Sequence, residues 1–274
     1  AMAAATTGLE FATGVTTPLF RFHPGVMAQA AATLDRLCGG RFHLGVGTGE
    51  NINEGPLGYP FPGYAERAAR MGEALEIMRR LLDGEKLTYE GSYYRTDRAK
   101  LYSPPIGRVP IWLAAGGPKS AELAARKADG IITSVKAPTD TIERVCDPAR
   151  RAAKEAGRPA PPILATRWSI FASSPEEAWE ALLPWRGLRA PGRLEAVDPA
   201  DLRRKADELP REDVLGQYTI VSSPEEIVAA YRPLVEHLGA DVVAFQMTSL
   251  DQERLIEMIG SDVLPNLRGL RPKA

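Results

Sequence analysis

Strand-length apolar runs and helix-length amphipathic runs take turns along almost the whole chain, and this alternation limits the fold more than any other feature. Leu9–Val15, Phe42–Val46, Val109–Ala114, Gly130–Thr133, Ile163–Phe171 and Val242–Met247 read as strands. Between them lie helices. Pro24–Leu37 opens on proline and sets Val26, Ala30, Thr33, Leu34 and Leu37 on or near one face; Tyr64–Leu82 repeats Met71, Leu75, Met78 and Leu82 at helical steps. Further helices are predicted near Ser120–Lys127, Thr139–Ala156, Pro224–Leu238 and Asp251–Ile259, with a small hairpin around Glu90-Gly91. Strands separated by helices run parallel, so the class is α/β. Ser173-Ser-Pro-Glu-Glu177 and Ser222-Ser-Pro-Glu-Glu226 are one device used twice, with serine as N-cap, proline at N1 and glutamate at N3. Both start helices.

With 274 residues, 44% of them hydrophobic, the chain can bury the core of one large domain, residues 1–274. The stretch Pro184–Gly216 is rich in Pro, Gly, Arg and acidic residues and reads as an insertion, near residues 184–216, rather than a second domain. A formal charge of −1 with scattered Lys and Arg offers no basic face for nucleic acid. No apolar run reaches the roughly 20 residues of a membrane span. Cys38 and Cys146 belong to no metal-ligand or CxxC spacing, so they read as buried thiols in a reducing, cytoplasmic setting; no secretion signal is expected.

Chemistry concentrates at the end of the second strand. Arg41-Phe-His-Leu-Gly-Val-Gly-Thr-Gly-Glu50 runs an alternating strand into three glycines and a carboxylate, followed by Asn51, Asn53 and Glu54. Gly45, Gly47 and Gly49 would let a flat ligand lie against bare backbone, with Glu50 at the mouth; equally, the run could be a tight turn whose Glu50 faces water. Leu113-Ala-Ala-Gly-Gly-Pro118 lies where a strand meets a helix, a place suited either to a plain turn or to a phosphate cradled by backbone amides. His23, His43 and His237 read as structural: before a helix-starting proline, within a strand and at a helix end.

These motifs, with Thr17-Pro-Leu-Phe-Arg-Phe-His-Pro24, Ala206-Asp-Glu-Leu-Pro210 and Ser222–Glu226, are colinear from about Leu9 onward with the luciferase-like flavin and deazaflavin oxidoreductases. The chain most resembles their coenzyme F420-dependent glucose-6-phosphate dehydrogenase-like branch. The resemblance implies a (β/α)8 TIM barrel of the luciferase-like type, here lacking about the first two βα units, which supply a catalytic histidine in the similar enzymes. It implies a non-proline cis peptide at Gly14-Val15 behind the cofactor ring, a hydrogen-bonding Thr17, and ring-edge contacts from Thr48, Glu50 and Asn53. Glu50 matches the acid that protonates a ring nitrogen. Ala114, Ala115, Gly116, Gly117 and Pro118 match the turn holding the cofactor's phosphate, and Thr133 the next strand end.

For the substrate, the resemblance implies that Lys136 keeps the position of a phosphate-binding lysine, Arg193 replaces a second lysine and Gln217 stands where an arginine would be. With one cation fewer, an alcohol or a hydrophobic hydroxylated compound is as well accommodated as a sugar phosphate; Arg186, Arg189 and Arg193 could compensate, or could be a solvated charged loop. Three functions remain open: an F420-dependent oxidoreductase moving hydride to or from CH–OH groups, an FMN-dependent luciferase-like monooxygenase or reductase, and a non-catalytic cofactor-binding barrel or fragment. Small-molecule substrates, no metal and a homodimer are expected.

Overall fold

A computed structural model of the chain describes residues 1–273. The chain divides into two compact units. The first comprises Ala1–Glu50, Leu57–Ile132 and Arg144–Pro162; the second comprises Asn51–Pro56, Thr133–Glu143 and the chain from Ile163 onward.

In the first unit β1 (Phe11–Ala12), α1 (Pro24–Leu37), β2 (Phe42–Val46) and α2 (Tyr64–Leu82) follow in order. The hairpin β3 (Leu87–Glu90) and β4 (Arg95–Ala99) comes next, then β5 (Ile111–Ala114), α3 (Pro118–Lys127), β6 (Gly130–Ser134), whose last two residues fall in the second unit, and, continuing a helical stretch that begins at Pro138, α4 (Asp147–Glu155). β1, β2, β5 and β6 lie side by side and parallel, with Phe11 opposite Phe42, Leu44 opposite Ile111 and Leu113 opposite Ile131. Leu44, Val46, Ile111, Leu113 and Ile131 from the strands share a core with Met71, Leu75 and Met78 of α2. Burying each such side chain stabilises by roughly 1.5–3 kcal/mol.

Two expectations need correcting here. The strand read over Leu9–Val15 is regular only at Phe11–Ala12. Beyond it the Thr13 hydroxyl donates to the Gly45 carbonyl (2.8 Å) and accepts from the Gly45 amide (2.9 Å), taking over bonds that a strand neighbour would make. On α1 the buried face is Ala28, Ala31, Ala32 and Asp35, whereas Val26 (50% exposed), Leu34 (41%) and Leu37 (71%) face outward. Alanine brings α1 close to β2 and α2, where larger side chains would hold it off. Asp35 is tolerated because it accepts from the Ile106 amide (2.8 Å).

The second unit is built on β7 (Ile163–Phe171), flanked by β8 (Thr219–Val221) at its C-terminal end and β9 (Val242–Thr248) along its length, all parallel. Its helices are α5 (Pro175–Leu182), α6 (Pro199–Asp207), α7 (Arg211–Leu215), α8 (Pro224–Glu236) and α9 (Gln252–Met258). Ser174 and Ser223 cap α5 and α8 by accepting from Glu177 and Glu226 amides. The stretch near 184–216 is largely helical, with Ala190, Leu202 and Ala206 packed against Ile52 and Ala196. β8 and these helices were not legible as elements, being too short to show a period. Among the described residues no helix is long and apolar enough to cross a membrane.

Candidate functional site

Ligands of parallel α/β folds collect at the carboxyl ends of the strands. In the first unit those ends carry Gly14, Val15, Thr17, Thr48, Glu50, Ala114, Ala115, Gly116, Gly117 and Pro118. The Gly14–Val15 peptide is cis. Its segment is tied to β2, the Thr16 amide donating to the Gly45 carbonyl and the Gly47 amide to the Thr16 carbonyl, both at 2.9 Å.

Two glycines of the 41–50 motif, Gly45 and Gly47, are required by their neighbours. A Cβ on Gly45 would sit 1.9 Å from the Thr13 carbonyl oxygen, and one on Gly47 would sit 2.7 Å from Val15 Cγ2. Both make room for the cis-peptide segment, and Gly49 turns the chain at a φ of +84°. Open space lies elsewhere. A Cβ at Gly14, Gly116 or Gly117 would meet no atom within 4 Å, and Val15 presents an apolar side chain that is 39% exposed.

Gly116 and Gly117 lead into α3, a ten-residue helix with Gly117 as N-cap. Its macrodipole favours an anion there. The turn's amides are partly committed: Ala115 donates to Ile132 (2.9 Å) and Gly117 to the Ser120 hydroxyl (3.3 Å). Two residues that sequence reasoning missed stand beside this turn. The Tyr64 hydroxyl lies near Ser120 without reaching hydrogen-bond geometry; burial pushes its pKa up, while Ser120 and Arg67 pull it down. Arg67 stacks on Phe61 at 4.0 Å, and desolvation lowers its pKa. A tyrosine and an arginine three apart, after a Pro-Gly entry to a helix, were the available signal.

His23 accepts from the Gly25 amide (3.0 Å) as the cap of α1, and His43 Nδ1 accepts from the Trp112 indole (3.0 Å). Both are structural in this sense.

The second unit carries Asn53, Thr133, Lys136, Arg193 and Gln217. Asn53 is exposed on the short helix Asn51–Glu54, whose Glu54 is fully buried. Thr133 is 2% exposed, and its hydroxyl has no hydrogen-bond partner among the described residues. Lys136 Nζ donates to the Gln217 side-chain oxygen at 3.1 Å. Arg193 and Arg189 both act electrostatically on Tyr218, whose pKa is raised chiefly by burial. Arg189 lies over the rings of Trp168 and Tyr218, 5.5 Å from each, and Arg186 is held by Asp207 at 2.5 and 2.8 Å. Those two arginines are therefore committed to protein partners. Tyr218 was not singled out from the sequence, and Arg189 was read only as a possible compensating cation or part of a solvated loop.

The profile of the luciferase-like monooxygenase family matches residues 1–241. The chain belongs to the luciferase-like monooxygenase family. It is 38% identical over 275 residues to an F420-dependent glucose-6-phosphate dehydrogenase of Nakamurella multipartita, covering 98% of this chain and 81% of that protein. Against F420-dependent glucose-6-phosphate dehydrogenase 1 of Rhodococcus jostii it is 38% identical over 272 residues, 97% of this chain and 81% of the relative. Among solved structures, an F420-dependent secondary alcohol dehydrogenase in complex with an F420-acetone adduct is similar with a TM-score of 0.89 and 28% identity, over 97% of this chain and 82% of that one. The F420-dependent tetrahydromethanopterin reductase of Methanopyrus kandleri gives 0.80 at 24% identity, over 97% and 85% of the two chains, and bears on the fold alone. The fold of this family member is thus the luciferase-like α/β TIM barrel, with parallel strands within each unit except the hairpin β3–β4.

Proposed function

We propose that the chain is a coenzyme F420-dependent oxidoreductase acting on CH–OH groups of small molecules. The observation that carries it is 38% identity, sustained over 98% of the chain, to an enzyme whose name specifies F420 and a hydroxyl-bearing substrate. The residues of the first unit are compatible with such a cofactor: an open, partly apolar platform at Gly14-Val15 and an uncrowded Gly116-Gly117 turn opening α3. FMN would use much the same features.

Bound F420 would supply a ring carbon that takes a hydride from an alcohol carbon or returns one to a carbonyl carbon. In this reading Val15 supports the ring and Thr17 and Thr48 orient it, and the resemblance adds Asn53 and Thr133 as cofactor contacts. Ala114, Ala115, Gly116, Gly117 and Pro118 form the turn for its phosphate. Glu50 holds a proton on a carboxyl oxygen for a ring nitrogen, and Lys136, Arg193 and Gln217 bind substrate. The reading carries with it a homodimer working in the cytoplasm.

Equilibrium titration with F420 and, separately, FMN, followed by fluorescence, is the test. Preference for F420 is expected, and preference for FMN would shift the reading to a flavin-dependent monooxygenase or reductase. Binding of neither would leave the chain a non-catalytic barrel. Gly116→Ala should leave thermal stability unchanged, because its Cβ enters open space, while weakening F420 binding about tenfold. Glu50→Gln should retain F420 binding and lose about 10²–10⁴-fold in turnover, the usual contribution of a general acid.

A further inference from the structure

Within the second unit a cavity of about 590 Å³ opens at the carboxyl ends of β7 and β9. Its walls include Trp168, Trp185, Leu188, Tyr218, Met247 and Leu250. This size suits a small organic molecule, and the position is the one where parallel strands present their ligands.

Most polar groups among the lining residues are occupied within the protein; the Tyr218 hydroxyl is an exception, with no hydrogen-bond partner among the described residues. The Ser169 hydroxyl pairs with that of Tyr231 at 3.0 Å, Thr248 donates to the Ala181 carbonyl at 3.0 Å, and Gln246 accepts from Thr166 at 3.0 Å. Ser249 accepts from the Asp251 amide at 3.2 Å. An occupant therefore meets mainly rings and aliphatic groups.

Charge points the same way. No lysine, arginine or histidine lines the cavity, and its one ionisable acid is Glu180, exposed at α5. Arg189 stands close by, but its guanidinium lies over Trp168 and Tyr218 and is desolvated enough for its pKa to fall. A phosphate dianion needs several convergent cations. These walls supply none, and the Glu180 carboxylate would repel it.

We infer that this cavity binds an uncharged molecule with a flat or aliphatic apolar body, held between the Trp168, Trp185 and Tyr218 rings, and disfavours phosphorylated sugars. None of Lys136, Arg193 and Gln217 lines this cavity, so it is a further apolar site and stands apart from the substrate roles given to those residues above. The binding itself requires no cofactor.

Trp168 and Trp185 supply the readout, because both border the cavity. The full chain, free of F420, is titrated with 1-phenylethanol and with glucose 6-phosphate while tryptophan emission is followed with excitation at the red edge. Saturable quenching by 1-phenylethanol, with none by glucose 6-phosphate at the same concentrations, is expected. Trp185→Ala should weaken the 1-phenylethanol response about tenfold at unchanged thermal stability, since that side chain is 53% exposed. Leu188→Trp, which narrows the cavity from a partly exposed position, should abolish the response. Saturation by glucose 6-phosphate in competition with 1-phenylethanol would overturn the inference, as would a linear, unsaturable response to 1-phenylethanol. Separate F420 titration distinguishes these failures from failure of the cofactor reading.

Discussion

Tyr94 and Tyr218 bury the same phenol in opposite circumstances. The Tyr94 hydroxyl donates to the Leu19 carbonyl at 2.8 Å, whereas that of Tyr218 has no hydrogen-bond partner among the described residues. Removing a satisfied buried hydroxyl loses a bond and strands an acceptor; removing an unsatisfied one relieves a desolvation cost. Tyr94→Phe should therefore destabilise the protein by about 1–2 kcal/mol, and Tyr218→Phe should be neutral or stabilising by up to ~1 kcal/mol. Denaturant titration of the two variants beside the parent checks the pair, and equal losses would defeat the distinction. At this scale the sequence showed which residue types stand near strand ends. It could not show which hydroxyls have partners, because Leu19 and Tyr94 are far apart along the chain and meet only after folding.

Elements differ in how plainly they were written. Phe42–Val46, Tyr64–Leu82 and Ile163–Phe171 have the limits that periodicity alone predicts, because each has a long buried face and clear end signals. The segment before them, read as a strand over Leu9–Val15, leaves the ladder at Thr13 because that side chain brackets Gly45. The glycines of the 41–50 motif read equally as backing for a flat ligand or as a tight turn; the positions a Cβ would take at Gly45 and Gly47 point at Thr13 and Val15. A consequence follows for mutation. In Gly45→Ala the new methyl would stand 1.9 Å from a backbone oxygen, with no flexible side chain to yield. A loss of about 3 kcal/mol is expected from forced backbone displacement. Thermal denaturation measures it, and an unchanged midpoint would mean that the 13–16 segment is not held as described. The face of α1 is a second case: larger apolar residues marked one side, but packing chose the alanine side because a close approach excludes bulk.

For the whole molecule, the alkaline limit of stability has a definite source in each unit. Burial raises Tyr94, in the first unit, and Tyr231, in the second, to about 12 from the ordinary 10.0. A phenol whose folded pKa is raised favours the folded state while neutral. Its contribution is complete below about pH 10, where the unfolded chain is also protonated, and is lost as pH rises from about 10 through about 12. Melting temperature should fall over that interval, with Tyr94→Phe and Tyr231→Phe each flattening the decline. A decline of unchanged steepness in the double variant would place the alkaline transition elsewhere.

What the sequence determined by itself is the part of the protein that depends on local period and on ordered motifs. Alternation of strand and helix prescribed an α/β fold with parallel strands, and the colinear motifs around Thr17, Glu50 and Gly116 pointed to the luciferase-like family to which the chain belongs. The tertiary structure decided what depends on distance across the chain: that Gly45 accommodates Thr13, that Lys136 engages Gln217, and that Arg189 stacks on Trp168 and Tyr218. It also brought Trp168, Trp185 and Tyr218 to one apolar cavity. Periodicity is set by backbone geometry over a few residues, whereas a cavity is set by which distant side chains come to share a wall, and no local pattern encodes that choice.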